Sequence, residues 1–160
     1  MPSKTRTPVN AAQNALRLAA NHSLWRGLVQ YDASSRYYTR LAAEPDYEAW
    51  LLSWLPGQGT EWHDHGGSAG AFVVLQGILT EERATVRPDG PPRIEAGAQQ
   101  YAYEALRTFG SKHIHRVTNH GPRPAVSLHV YSPGLHEMNY YEASNGLLLQ
   151  TGSSFAGANW

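Results

Sequence analysis

The stretch that decides the fold is Glu61-Trp62-His63-Asp64-His65, with Gly57 six residues before His63 and Gly77 twelve residues after His65. In an extended chain, residues i and i+2 point to the same face, with Cα atoms about 6.5 to 7 Å apart. His63 and His65 can therefore bind one metal ion in adjacent positions. Asp64 points to the opposite face, where it would support a ligand or meet solvent.

A second histidine pair, His113-Ile114-His115, follows about fifty residues later in a candidate strand. Antiparallel pairing or the closure of a barrel would bring it beside the first pair. The spacing alone does not choose between His113 and His115, which share a face in a regular strand. Imidazole accepts iron, zinc, copper or nickel, so the ligands predict a metal site without selecting the metal.

Composition excludes several classes of protein. The chain has 160 residues, no cysteine and thirteen basic against thirteen acidic side chains. It therefore has no cysteine thiolate that could act as a metal ligand or a nucleophile. It also lacks the excess of basic side chains with which proteins bind nucleic acid or an anionic bilayer. No apolar run approaches the ~20 residues of a membrane span, and Met1 to Asn10 lack the apolar core of a secretion signal. We therefore expect one globular, cytoplasmic domain without nucleic-acid or membrane partners.

The rest of the chain indicates an all-β fold with a short helical N-terminal segment. Helix formers from Ala11 to about Arg26 follow a plausible cap at Asn10. Short runs rich in aromatic and β-branched residues then alternate with Gly and Pro turns. They predict strands at residues 36–42, 47–55, 71–75, 78–86, 99–103, 113–117, 125–131, 138–142 and 147–151. The predicted organisation is a helical segment at 1–35, a barrel at 36–151 and a tail at 152–160 that is loose unless Trp160 docks.

The glycine and histidine spacing resembles the double motif of the cupin superfamily. Gly57, the pair His63 and His65, and Gly77 are similar to its first motif, and His115 with Asn119 four residues later is similar to its second. The resemblance implies a double-stranded β-helix, or jelly-roll, barrel with a metal ion inside. The position of the usual glutamate falls on Gly70, so the implied site has three histidines and no carboxylate.

Five further matches narrow the resemblance to the cysteine dioxygenase family of thiol dioxygenases. They span residues 37 to 133, and their order along the chain agrees with that of the family. The matching pieces are Tyr37-Tyr38-Thr39-Arg40, His63-Asp64-His65, Leu75-Gln76-Gly77, His115-Arg116-Val117 and the ten residues from Pro124 to Pro133.

This resemblance implies a role for each matched side chain. His63, His65 and His115 would be ligands of Fe(2+), with the His-Arg-Val match favouring His115 over His113. Arg40 would hold the substrate carboxylate, and Tyr38 would be its neighbour in the pocket. Ser127, His129 and Tyr131 would form a hydrogen-bonded row beside the iron. Many animal members carry a cysteine at the position of Gly70, thioether-linked to the tyrosine matched by Tyr131, and that crosslink cannot form here.

The predicted function is that of an iron(II) thiol dioxygenase that adds both atoms of O2 to the sulfur of L-cysteine, giving cysteine sulfinate. Two alternatives stay open. Relatives that act on 3-mercaptopropionate or another thiol acid would keep the three histidines, but they tend to have glutamine where Arg40 stands, so Arg40 favours cysteine. A non-catalytic cupin would use the same histidines to hold a structural ion.

Overall fold

Twelve β-strands and a short helical segment make up residues 10–155, the part of the chain that this computed structural model describes. The segment contains helix α1 (Ala11–Ala20), helix α2 (His22–Trp25) and a 3-10 turn (Arg26–Leu28). The strands are β1 (Tyr37–Ala43), β2 (Glu48–Trp54), β3 (Trp62–His63), β4 (Ala69–Gln76), β5 (Leu79–Arg87), β6 (Gly90–Ile94), β7 (Gln99–Tyr101), β8 (Leu106–Phe109), β9 (Ile114–Thr118), β10 (Ala125–Ser132), β11 (Glu137–Ser144) and β12 (Leu147–Phe155).

The helical segment begins where the sequence predicts and breaks earlier than predicted. The side chain of Asn10 accepts a hydrogen bond from the backbone N–H of Gln13, and the side chain of Gln13 accepts one from the backbone N–H of Asn10, which completes a capping box. Asn21 has non-helical dihedrals and separates α1 from α2. Among the described residues, no helix is long and apolar enough to cross a membrane.

Two antiparallel sheets form the body of the molecule. One has five strands in the order β1-β2-β10-β4-β8, and the other has seven in the order β6-β12-β11-β3-β9-β5-β7. Many neighbours in both sheets are distant in sequence, as the crossing connections of a jelly roll require. The all-β prediction is confirmed.

The three central strands of the five-stranded sheet, β2, β10 and β4, are buried on both faces, which explains the nearly unbroken apolar sequence of β10. Val126, Leu128 and Val130 pack outward in a cluster that includes Ala15 and Leu18 of α1. The alternate residues of β10 therefore face the interior between the sheets.

The sequence does not predict three of the strands, each for a local reason. Strand β6 contains Pro91 and Pro92, which predict a turn, yet it pairs with β5 through Gly90, Arg93 and Ile94 and with β12 through Arg93. Strand β3 has two residues and β8 has four, too few to show alternation. Strand β12 continues to Phe155, beyond the predicted start of the tail at residue 152. The expectations for residues 1–9 and for Trp160 lie outside the described residues.

Candidate metal centre and active-site cavity

Three buried histidines converge between the sheets. His63 on β3 is the direct antiparallel partner of His115 on β9, and His65 follows two residues after His63. The ring centroids are 4.7 Å apart for His63 and His115 and 5.0 Å apart for each pair that includes His65. One nitrogen of each ring lies within 4.8 Å of the other two, so the three side chains can hold one metal ion.

The protonation of the three rings suits a metal ion. The Nδ1–H of His63 donates to the backbone carbonyl of Glu61 at 2.8 Å, which leaves its Nε2 with a free lone pair. Both ring nitrogens of His65 are buried and have no hydrogen-bond partner among the described residues. Burial holds the pKa of His63 and His65 well below the ordinary value and also lowers that of His115. A cation bound between neutral rings would satisfy one of the two unpartnered nitrogens of His65.

Glu81 on β5 fixes the orientation of His115. Its carboxylate is completely buried and accepts hydrogen bonds from His115 Nδ1 at 2.7 Å, His113 Nε2 at 3.1 Å and Arg107 Nε at 2.8 Å. Despite burial, these donors hold the pKa of Glu81 far below its usual range. Because a carboxylate only accepts, His115 must carry its proton on Nδ1, and its Nε2 is free to bind a metal.

His113 and His115 therefore have different positions. Strand β9 begins at Ile114, so His113 precedes it, and its ring stacks on Phe109 at 5.0 Å. His115 is the ring that joins His63 and His65. Tertiary structure thus resolves the choice that the spacing of the pair left open.

Asp64, between His63 and His65, ties the turn that carries them to β11. Its Oδ1 accepts hydrogen bonds from the backbone N–H of Gly66 and from the side chain of Asn139, both at 2.9 Å. Its Oδ2 accepts from the hydroxyl of Tyr141 at 2.7 Å. The Asp64 carboxylate therefore binds the turn and strand β11 and is not a member of the histidine group.

Ser127, His129 and Tyr131 occupy the inward face of β10 in succession. Trp54 Nε1 donates to Ser127 Oγ at 2.9 Å, and Ser127 Oγ lies 2.8 Å from His129 Nε2. Ser127 thus links the indole of Trp54 to the ring of His129. Burial lowers the pKa of His129 to about 3, so the ring is neutral. The centroids of His129 and Tyr131 are 6.4 Å apart.

Tyr131 completes the row next to the histidine group. Its ring centroid lies 5.1 Å from that of His65, and burial raises the pKa of its phenol. The hydroxyl therefore stays protonated and can donate a hydrogen bond into the interior.

A cavity opens onto this constellation. It contains about 500 Å³ of empty space, counting its mouth. Its polar lining is formed by Arg36, Tyr38, Thr60, His63, His115, His129 and Tyr131, and its apolar wall by Trp50, Leu52, Trp54, Val117, Leu135 and Met138.

Arg40 does not join this group. It lies on the same strand as Tyr38 but farther from the cavity, with its side chain 55% exposed, and its Nη1 pairs with Glu48 Oε1 at 3.5 Å. Glu48 begins β2 two residues before Trp50, the residue opposite Arg40, and the Arg40 guanidinium lies 6.0 Å from the centre of the Trp50 ring. The arginine that lines the cavity is Arg36, two residues before Tyr38.

Sequence reasoning gave no role to three residues of this region, namely Arg36, Glu81 and Phe109. Arg36 and Tyr38 are two residues apart, so the period of a strand already predicts a shared face. Glu81 follows Leu79, buried on β5, by the same interval, which marks it as a charge on an inward face. Phe109, stacked on His65 at 4.8 Å, carries no local signal.

Comparison with known families agrees with this geometry. A family model described as "Cysteine dioxygenase type I" matches residues 6–144. The chain belongs to the cysteine dioxygenase type I family. A zebrafish (Danio rerio) relative named "Cysteine dioxygenase type 1" is 27% identical over 151 residues, covering 86% of this chain and 72% of the relative. Membership in the cysteine dioxygenase family confirms the resemblance that the sequence motifs predict.

Solved structures support the fold of this cysteine dioxygenase family member. A protein from Thermus thermophilus aligns over 68% of this chain and 93% of its own, with a TM-score of 0.57 at 21% identity. A Klebsiella pneumoniae protein with a double-stranded β-helix domain aligns over 92% and 99%, with a TM-score of 0.56 at 12% identity. A cupin described as a sugar phosphate isomerase, from Silicibacter pomeroyi, aligns over 77% and 76%, with a TM-score of 0.55 at 16% identity. The cupin barrel is therefore confirmed, and the function must be argued from the site.

The family and the geometry of the site indicate the same class of enzyme. A cysteine dioxygenase family member with three neutral histidines around one point is a cupin thiol dioxygenase with a metal-binding group. Gly70, the position to which the motif resemblance assigns the crosslinking cysteine, is the direct partner of Tyr131 across β4 and β10.

Proposed function

We propose that this protein is an iron(II) dioxygenase that converts L-cysteine and O2 to cysteine sulfinate. The observation that carries the proposal is the convergence of His63, His65 and His115 beside a cavity that also contains an arginine and a protonated tyrosine. The three imidazoles would hold the iron, and no protein carboxylate would reduce its charge.

When bound, iron(II) supplies the deprotonation of the thiol and the activation of O2, so that both oxygen atoms are transferred to sulfur. The overall reaction balances without a further reductant: one thiol and one O2 give one sulfinate and a proton. The sulfur loses four electrons, and O2 accepts them.

The protein's own residues would position the reactants. Tyr131 stays protonated and donates a hydrogen bond to the substrate or to oxygen. His129 stays neutral, and Ser127 and Trp54 hold its ring beside Tyr131. Tyr38 forms the side of the pocket next to Trp50, with ring centroids 5.9 Å apart.

The first test is the iron content of single variants. His63→Ala, His65→Ala and His115→Ala should each remove most of the iron from the purified protein, because each removes one of the three nitrogens that converge on one point. His113→Ala is the matched control, since its ring is hydrogen-bonded to Glu81 behind the site, and it should keep most of the iron. Loss of iron in His113→Ala but not in His115→Ala would refute the assigned ligands.

The second test is turnover. Oxygen consumption and sulfinate formation should be fastest with L-cysteine in a panel that also contains 3-mercaptopropionate and cysteamine. A preference for 3-mercaptopropionate would show that the protein is a thiol dioxygenase but that L-cysteine is not its preferred substrate. Iron binding without oxidation of any thiol would indicate a non-catalytic metal-binding cupin.

A further inference from the structure

His65 differs from the other two histidines of the metal-binding group in what holds its ring. The ring of His63 donates a hydrogen bond to the backbone carbonyl of Glu61 at 2.8 Å. That of His115 donates one to the carboxylate of Glu81 at 2.7 Å. Both ring nitrogens of His65 are buried, and neither has a hydrogen-bond partner in the described part of the chain. When one nitrogen of His65 binds a metal ion, the other keeps no partner there.

A metal ligand without this hydrogen bond needs another source of orientation. Histidine ligands almost always donate their second ring N–H to a carboxylate, a carbonyl or a water, because that bond fixes the tautomer and the rotation of the ring. A ring that rotates freely loses conformational entropy when the metal binds, and the affinity falls accordingly. The groups that can orient His65 are therefore the rings packed against it.

Phe109 is the aromatic ring with the shortest centroid distance to His65 among the described residues. The two centroids are 4.8 Å apart and the planes are inclined by only 25°, whereas the ring of Tyr131 lies at 5.1 Å and 38°. Phe109 is itself buried, and its ring also stacks on that of His113 at 5.0 Å. His113 donates a hydrogen bond to the buried carboxylate of Glu81 at 3.1 Å. The ring that packs on His65 is thus fixed in turn.

A gap in the five-stranded sheet lets Phe109 reach His65. Phe109 on β8, Gly70 on β4 and Tyr131 on β10 are direct cross-strand partners. Residues directly opposite each other in an antiparallel sheet share a face, so a side chain at position 70 would stand between the rings of Phe109 and Tyr131. Gly70 has no side chain, and the ring of Phe109 fills this space beside His65.

We propose that Phe109 is the positioning residue of the metal ligand His65, and that its stacked ring takes the place of the hydrogen bond that orients His63 and His115. The proposal rests on the proposed function only in that the three histidines hold a metal ion, and it depends neither on iron nor on the substrate. Contact between two aromatic planes restricts the rotation of the imidazole. A nitrogen of His65 is therefore directed to the metal position before the metal binds.

The test compares Phe109→Leu with the matched control Phe72→Leu. Phe72 is a buried ring of the same sheet, and its ring contacts among the described residues are with Tyr101 and His129. Cobalt(II) affinity, measured by competition with a chelator, should fall about 3- to 10-fold in Phe109→Leu, the range of one aromatic pair, and less than about twofold in Phe72→Leu. An unchanged affinity in Phe109→Leu would overturn the proposal, as would equal losses in the two variants.

The spectrum of the bound metal separates positioning from structural support. Both variants should lose stability in urea denaturation of the metal-free protein, because each loses part of a buried ring. The visible absorption bands of bound cobalt(II), which report the geometry of its ligands, should change in Phe109→Leu and stay the same in Phe72→Leu. A loss of stability in Phe109→Leu with the spectrum and affinity of the parent would show that Phe109 is only part of the core.

Gly70→Ala is a second variant, which leaves Phe109 in the sequence. A methyl group on Gly70 would overlap the ring of Phe109 and displace it from His65. Cobalt(II) affinity should therefore fall at least about threefold. Gly152→Ala is its control, because its added Cβ meets nothing within 4 Å, and it should keep the affinity of the parent. An unchanged affinity in Gly70→Ala would overturn the proposal even if Phe109→Leu does not fold.

The two proposals fail in different ways. If the iron-loaded parent oxidises none of the three thiols, the proposed function is wrong, and the cobalt(II) affinities still decide the role of Phe109. If the parent oxidises L-cysteine and Phe109→Leu binds cobalt(II) as tightly as the parent, the proposed function stands and the role of Phe109 is wrong.

Discussion

The ring of Phe109 occupies the space that a side chain at Gly70 would need. The two residues are direct partners across β8 and β4, and a Cβ atom added to Gly70 would lie 2.6 Å from Cζ of Phe109 and 2.5 Å from the backbone oxygen of Val130. Phe109 also stacks on His65 and lies 6.3 Å from Tyr131. An aromatic ring thus fills the corner where a thioether bridge would otherwise need room.

We therefore expect Gly70→Ala to destabilise the protein. The added methyl group meets a backbone carbonyl that cannot move without shifting β10, so the free energy of unfolding should fall by about 1 to 3 kcal/mol. Urea denaturation measures the loss. Gly152→Ala is the matched control, because nothing lies within 4 Å of its added Cβ, and it should be nearly neutral. Combining Gly70→Ala with Phe109→Leu should recover part of the loss, and strict additivity would contradict the contact.

A second prediction concerns covalent modification of Tyr131, which lies opposite Gly70. Gly70 offers no sulfur to Tyr131, and the chain contains no cysteine elsewhere. The mass of the purified protein should equal the sequence mass, apart from ordinary processing of its ends. A deficit of two hydrogens mapped by peptide analysis to Tyr131 would reveal a different covalent modification.

Glu81→Gln should weaken metal binding by about 10- to 100-fold, the usual effect of losing the hydrogen-bonded support of a histidine ligand. The amide has one accepting oxygen for donors on both sides, so His115 loses its fixed tautomer. Competition with a chelator measures the affinity. Glu82→Gln is the control, because Glu82 pairs with Arg116 at 2.7 Å at a partly exposed position. Equal losses of metal affinity in the two variants would contradict the role of Glu81 in orienting His115.

The stability of the metal-free protein should fall as the pH is lowered from about 7 to about 5. Burial lowers the pKa of His129 to about 3 and that of His63, His65 and His115 below the ordinary 6.5. Below about pH 6.5 the unfolded chain binds protons that the folded protein excludes, so acid favours unfolding by up to about 1.4 kcal/mol per pH unit for each such histidine.

Urea denaturation of chelator-treated protein at several pH values measures this slope. His129→Leu should make the slope shallower, because one excluded proton is lost from the difference between the folded and unfolded states. A slope that is unchanged in His129→Leu would show that His129 titrates in the folded protein.

The sequence by itself determined the fold class and the family. Alternation of side chains along a strand is a local property. The sequence alone therefore predicts that His63 shares a face with His65 and that His129 shares a face with Tyr131. The motif from Pro124 to Pro133 and the spacing of Gly57 and Gly77 predict the family that the family model confirms.

Only the tertiary structure decided which residues meet. His115 differs from His113 because it lies opposite His63 in an antiparallel pair. Arg36 lines the cavity, whereas Arg40 is exposed and pairs with Glu48 on the neighbouring strand. Glu81 approaches His115 across thirty-four residues of sequence. Such contacts depend on how strands pair and where a sheet ends, and neither is encoded in the period of a single strand.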